Sequence, residues 1–560
     1  MHLFISLYLS AGANAYETEN IGNSLQPRFS SKEKRHGMRK RALLPVLALS
    51  VFLAGCAGSP LRSYNKELGN TISMVNSGNV KGALAQLEAD NDSIFSSRSK
   101  EDAEGTGKEK TQADSIFGKD ILYFFEKGEL LRLDNEYERS RDTWLQADEV
   151  VRIWEDEYRV NPGKVVGEIG AYLVSDRVRR YDGHDYEKVF LSTKLMLDHV
   201  MLGNDEHARI EMKKTFEREK LIESFREQEY ERIQEEGNKR SISFSIDDLA
   251  KNGYPVDKLD SSDVRALKNG YQNAFAHYLS GYFFEMKGEY SLAAPGYRNA
   301  LELRPDSKLI RGKTGKLGGK PGPGKADVLF VVESGFAPAL RSITIPLPIP
   351  FNKEVIVTPL SFPVITADAR AFVPPSLNVG GRVLPVETLV NVDALARRQL
   401  KDMLPGIIGR TAVRAAVKSV LQYQAKKKGN ALAGLGATVA TVVTEQADER
   451  SWRTLPARLS VARAILPIGE QEIEFRTHNG TYRGKIKVED AMTIVPIRLS
   501  GNFVYVGQRD AQGTLTEAPE VEEEETEEAE EEAAQESKAV AKPRRVHSPR
   551  QHGVRPRVSH

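Results

Sequence analysis

One change of hydrophobic period governs how this chain can fold. Over residues 61–307 apolar side chains recur at helical spacing among strong helix formers, with breaks at Gly-Asn, Gly-Glu and Asn-Pro steps. A Gly/Lys/Pro linker at 311–325 ends that pattern. Short apolar runs then take over at 327–333, 343–349, 354–357, 458–465, 472–476, 482–488, 493–499 and 503–506. Runs of this length bounded by turn residues read as strands. Ile473 and Phe475, then Ile486 and Val488, alternate with polar residues around Asn479-Gly480, a hairpin signal. Residues 392–428 and 431–446 read as helices inserted between strands. The expected fold class is therefore α+β and multi-domain: an N-terminal α-helical domain at 56–310, the linker, and a mixed, strand-rich domain at 326–507. A chain of 560 residues with 40% hydrophobic side chains is long enough for two or more cores. From 508 to 560 a Glu-rich block followed by a Pro/Arg/His block has too few apolar residues for a core, so a disordered charged tail is expected.

Within the helical part, Gly281, Phe284, Ala293, Tyr297, Ala300 and Pro305 fall where a tetratricopeptide repeat places its defining residues. Small residues at Gly281 and Ala293 let two antiparallel helices approach, the aromatics fill the groove, and Pro305 stops the second helix. His277 and Ser280 depart from the pattern, since that family prefers larger apolar residues there. Gly128, Leu131, Ser140, Trp144 and Ala147 repeat the same mutual offsets. Weaker half-units occur at 78–87 and 203–212, with Ala83 and Ala208 early in the following helix. Such units stack into a solenoid with a concave face for a partner, and Tyr123, His277 and Tyr278 are the candidate anchors on that face. A plain helical bundle is the alternative. The charged helix at 215–237 reads as a solvated element bridging two repeats.

The chain has one cysteine, which excludes an intramolecular disulfide, a cysteine zinc site and a Cys-x-x-Cys redox pair. Its position is informative. Met38-Arg39-Lys40-Arg41 is a basic start, residues 42–53 form an apolar run, and Leu53-Ala54-Gly55-Cys56 closes it. This resembles the lipobox of bacterial lipoproteins, in which the cysteine is diacylated and then becomes the mature N-terminus. The apolar run is shorter than the roughly 20 residues that span a bilayer, as a signal peptide requires. Residues 38–55 are then the signal peptide, and 1–37 read as an artefact of start-site choice, a genuine extension being the alternative. By the sorting tendency of that family, Ala57 after the cysteine implies the outer membrane.

Motifs for catalysis are scarce. Residues 319–325 approach a phosphate-binding loop, but Ala326 replaces the Mg²⁺-binding hydroxyl, Pro321 and Pro323 remove backbone donors, and the strand follows the loop. His184, His199, His207 and His277 lack metal-ligand spacing and read as surface or groove-lining residues. No cofactor and no metal is expected, and a net charge of +1 gives no reason to expect nucleic acid. The apolar stretch at 431–443 after Lys426-Lys427-Lys428 reads as a buried helix, with membrane contact as the alternative.

Taken with the lipobox, Tyr186-Glu187 to Ala208-Arg209, Glu333-Ser334-Gly335 and Trp452-Arg453-Thr454-Leu455-Pro456 resemble a family of Gram-negative bacterial lipoproteins with tetratricopeptide-like repeats and no established activity. The resemblance covers about residues 56–507. Genes of that family accompany those of lipoproteins that regulate peptidoglycan synthesis. Because repeats are interaction surfaces and no nucleophile, metal or cofactor motif emerges, the expectation is a lipid-anchored periplasmic scaffold that binds an envelope protein. An envelope enzyme acting on peptidoglycan or lipid is the competing expectation.

Overall fold

The same turn joins two helices four times. The computed structural model describes residues 63–94, 121–162, 181–240, 246–315, 317–318, 321–351, 354–427, 447–508 and 512–517. Leu53, Ala54, Gly55 and Cys56, residues 1–55, the stretch 431–443 and all of the tail beyond 517 lie outside them. The hairpins are α1 (Tyr64–Asn76) with α2 (Val80–Ile94), α3 (Ile121–Leu133) with α4 (Tyr137–Val160), α5 (Asp185–Met201) with α6 (Asp205–Arg240), and α9 (Ala274–Met286) with α10 (Tyr290–Leu303). Each first helix ends on a residue of positive φ: Gly78 at 83°, Asn135 at 60°, Gly203 at 71° and Gly288 at 78°. The next backbone N–H reaches back to a carbonyl of the last helical turn in every case: Asn79 to Met74, Glu136 to Leu131, Asn204 to His199 and Glu289 to Phe284. This is the closing pattern that satisfies orphan carbonyls at a helix end.

Beyond each turn, Ala83, Ser140, Ala208 and Ala293 occupy one register position, and all four are fully buried. A Cβ at Gly128 would fall inside the Trp144 indole, and one at Gly281 would meet the Tyr297 ring at 2.9 Å. The first and third hairpins place Thr71 with Leu87 and Met196 with Met212 at the matching positions, so the two side chains share the space differently. Leu131 and Ala147 are buried, as is Ala300, while Phe284 is half-buried against the same core. Pro305 follows the last residues of α10.

Between the third and fourth hairpins lie α7 (Ile246–Lys251), a 3₁₀ turn (Val256–Leu259) and α8 (Ser262–Arg265). After α10, helix α11 (Lys308–Thr314) is seated by Ser307, whose hydroxyl accepts the Ile310 N–H. Residues 311–314 of the expected linker thus belong to a helix, which the buried Ile310 anchors. Pro321–Gly324 is an exposed turn that runs straight into the first strand, and residues 319–320 of the phosphate-loop-like stretch lie outside the described residues.

Among the described residues the strands form two sheets of five and a separate hairpin. β1 (Lys325–Ser334), β6 (Glu387–Asn391), β7 (Arg458–Pro467), β10 (Met492–Ser500) and β11 (Phe503–Val506) make the first sheet in the order β11-β10-β1-β7-β6. β4 (Ser376–Val379), β5 (Arg382–Pro385), β8 (Gly469–Arg476), β9 (Gly480–Val488) and β12 (Gln512–Glu517) make the second in the order β12-β9-β8-β4-β5. β2 (Ala339–Phe351) pairs with β3 (Glu354–Thr366), and helix α12 (Val392–Lys427) follows β6. β12 lies within the stretch expected to be disordered. It pairs along β9 from Gln512 to Glu517 because Leu515 packs against the second sheet's core.

Strand β1 explains the layering. Ala326, Val328, Phe330 and Val332 face the second sheet, whereas Leu329 and Val331 join the core shared with the helices. Both faces of the strand are covered, hence its unbroken apolar run. The core that starts on α1 therefore continues through the first sheet and α12.

Candidate functional site

On its helix-facing side β1 carries Asp327, Leu329, Val331 and Glu333, an apolar stripe with a carboxylate at each end. Each carboxylate is the centre of a buried ionic group. Glu333 lies 3.0 Å from Arg132 of α3 and 2.8 Å from Lys194 of α5, with Arg498 of β10 at 3.8 Å. Glu129 joins the set at 3.0 Å from Lys194 and 3.2 Å from Arg498. Asp198 approaches Arg132 Nε at 3.4 Å. None of the six is more than 4% exposed. Burial pushes the Glu333 carboxyl up, but Arg132, Lys194 and Arg498 outweigh it and hold the pKa well below the usual range. Burial lifts Asp198 to about 7, outweighing Arg132, the Ser140 hydroxyl and Lys194, which act to lower it. Lys194 is lowered by burial against the pull of Glu129 and Glu333.

At the other end Arg463 of β7 binds Asp327 with two N–H groups, at 2.8 and 2.7 Å, and reaches Glu285 at 2.9 Å and the Tyr297 hydroxyl at 2.8 Å. Tyr297 in turn donates to Glu285 at 2.6 Å, and Tyr282 donates to the Asp327 carbonyl at 2.8 Å. A planar guanidinium in two-pronged contact fixes orientation as well as charge.

Beyond the Glu333 end of β1, leading into β7, runs an irregular and largely buried segment, residues 452–456. A backbone without secondary structure still needs partners for its N–H groups. Two glutamates supply them: Trp452 donates to Glu187 Oε1 at 2.7 Å, and Arg453 and Thr454 donate to the two oxygens of Glu126 at 2.7 and 2.9 Å. Tyr181 donates to Glu187 at 2.5 Å and Tyr64 to Glu126 at 2.6 Å. Burial raises Glu126 to about 6 in spite of these donors. Arg498 closes the segment from the far side by donating to the Gly335 and Thr454 carbonyls at 2.7 and 2.8 Å. Tyr186-Glu187, Glu333-Ser334-Gly335 and the residues around Trp452 thus meet at one junction.

The three expected anchors are buried within the chain rather than on an open face. Tyr123, His277 and Tyr278 are at most 2% exposed. Tyr123 donates to Glu88 at 2.8 Å, His277 Nε2 sits 3.2 Å from Glu219, and Tyr278 packs edge-on against Tyr297. The reason is that α3, α5 and α9 are buried nearly all round: only Lys127 of α3 reaches solvent, and α5 is buried from Asp185 to His199. The inward faces of these helices pack on the chain's own first sheet and on residues 452–456. Two of the four helical histidines, His199 and His277, are likewise buried rather than on the surface, with His199 stacked on His207. The charged helix α6 is not simply solvated either, because Arg218, Glu219, Ile222 and Glu229 lie on its buried face. Among the described residues no group of His, Cys, Asp or Glu is arranged to hold a metal ion.

Glu126, Glu129, Arg132, Lys194 and Arg498 carry no motif, but the sequence does hint at them. Glu126, Glu129 and Arg132 inside the largely apolar helix Ile121–Leu133, and Arg498 inside the apolar strand Met492–Ser500, mark buried and therefore paired charges.

Beside the junction, between α4, α5, α6, α12 and the β2–β3 hairpin, opens a cavity of about 170 Å³ with Trp154, Tyr181, Lys188, Phe225, Gln399 and Met403 in its wall. Comparison with family models, with curated proteins and with solved structures finds no match for this chain.

Proposed function

We propose that this chain is a lipoprotein of a bacterial envelope, anchored to the outer membrane through acyl chains on Cys56, and that it works as an interaction scaffold facing the periplasm. The repeated helical hairpins support a tetratricopeptide-like reading, since all four close with the same turn and bury a small residue at the same register position. The observation that carries the form of the scaffold is the burial of α3, α5 and α9 nearly all round. With α3, α5 and α9 covered by the chain's own strands, a partner is left the outward helices, where Leu145, Ile210, Tyr290 and Leu292 are exposed apolar residues. An envelope enzyme is the weaker reading, because the carboxylates of the junction are paired or closed off from solvent where a substrate cannot reach them.

The partner on this reading is an envelope protein serving peptidoglycan synthesis or outer-membrane assembly. A photo-crosslinking residue placed at Ile210 or Leu292 of the anchored full chain tests it in cells. Defined adducts from these positions are expected. Adducts from Val383 on the second sheet, with none from the helices, would place the contact elsewhere. For the anchor, Cys56→Ala should release the chain from outer membranes and remove labelled acyl groups; a variant that keeps both would refute it.

A further inference from the structure

The cavity beside the junction has features that neither the packing of the hairpins nor the scaffold reading uses. Its volume of about 170 Å³ is well below the roughly 300–1,000 Å³ of pockets for drug-sized ligands. It is close to the ~150 Å³ of an apolar cavity that takes up one benzene ring. Trp154 and Phe225 stand edge to face with ring centroids 5.1 Å apart on one side, and Met403 and Ile407 of α12 provide aliphatic surface opposite.

Most charged groups in the wall are already paired. Arg226 binds Asp185 at 2.6 Å and also Glu229, Arg410 lies 3.1 Å from Glu229, and Arg450 holds Asp448 at 2.7 Å. Lys188 differs. It is 3% exposed, and among the described residues its amine makes no hydrogen bond or ion pair. It stands over the face of Trp154, 3.7 Å from nitrogen to ring centre. A ring face attracts an ammonium from one side but accepts none of its three N–H groups as a carboxylate would. Burial lowers the Lys188 pKa, while the nearby Asp185 and Asp182 act to keep it charged.

We propose that this cavity binds a small carboxylate with an apolar body about the size of one aromatic ring, the carboxylate pairing with Lys188 and the ring lying among Trp154, Phe225 and Met403. The charge selects the head group, and the aromatic and thioether walls select the body. This site is separate from the outward helix faces, so its fate does not depend on the scaffold reading.

Calorimetric titration of the full chain with benzoate, benzyl alcohol and benzylamine tests the assignment. Benzoate should bind about tenfold or more tightly than benzyl alcohol, and benzylamine more weakly than both. Lys188→Met should bring benzoate down to the affinity of the alcohol, whereas Met403→Trp, which fills the space, should abolish binding of both with circular dichroism unchanged. Equal affinities in the native chain, absence of benzoate binding at millimolar concentration, or binding that persists in Met403→Trp would each overturn it. Should Lys188→Met not fold, the native comparison and the Met403→Trp result still decide.

Discussion

Trp452 stacks on Phe125 with ring centroids 4.5 Å apart and planes at 16°, and the same indole meets Trp144 edge-on at 5.8 Å. Three aromatic rings from α3, α4 and residues 452–456 thus form the hydrophobic centre of the junction. Truncating a fully buried tryptophan removes its burial and leaves a cavity, at a cost of about 3–5 kcal/mol. Trp452→Ala should lower stability by that amount in denaturant unfolding, and a change under about 1 kcal/mol would show that the segment is not packed as described.

Glu333 meets three cations in a site closed to water. Glu333→Ala leaves Arg132, Lys194 and Arg498 with too little negative charge, and breaking a buried ionic group in this way costs roughly 3–5 kcal/mol. Adding Lys194→Met should recover part of the loss, because it removes one of the stranded cations. Additive losses in the double variant would contradict the pairing.

Asp198 gives the junction a pH dependence of known sign. Its folded pKa of about 7 lies above the unfolded value, so the folded state binds the proton more tightly and stability falls as pH rises from about 4 through 7. Glu126, raised to about 6, acts in the same direction, whereas His199, held down to about 4 by burial and by His207, acts in the opposite one. Asp198→Asn removes only the first contribution. Relative to the native chain, the variant should therefore gain stability at pH 8 compared with pH 5, as read from unfolding midpoints. A difference that does not change with pH would mean that Asp198 is ionised throughout.

The closest approach of α9 and α10 is backbone to backbone. A Cβ on Gly296 would lie 2.7 Å from the Gly281 nitrogen and 2.8 Å from the His277 carbonyl oxygen. Neither neighbour is a flexible side chain, so Gly296→Ala must push the helices apart. Ala293→Leu, at a fully buried position one turn earlier, overpacks the same seam. Each should cost roughly 1–3 kcal/mol, measured by thermal unfolding of the full chain; unchanged midpoints would deny the close seam.

Elements with a strong local pattern were legible in the sequence, and those defined by distant partners were not. β1, β7 and β10 announce themselves as apolar runs because both faces of their sheet are covered. β4 and β5 are too short for a period, yet Gly380 and Gly381, with φ of 54° and 79°, form the two-residue turn that marks a hairpin and would have revealed them. Tyr123 and Tyr278 stand on α3 and α9, which carry apolar residues on every side, the signal of helices covered all round rather than of an open face. The partners of Glu126 and Glu187 could not be read at all, since Trp452, Arg453 and Thr454 reach them only through the tertiary fold.

Severing the chain in the exposed turn Pro321–Gly324 tests most directly whether the strand-rich half packs on the helical hairpins as a permanent part of them. A protease site introduced there, cut in the folded full chain, should yield two pieces that remain together in size-exclusion chromatography without denaturant, with circular dichroism unchanged. Two pieces that separate while each keeps its own secondary structure would contradict that packing.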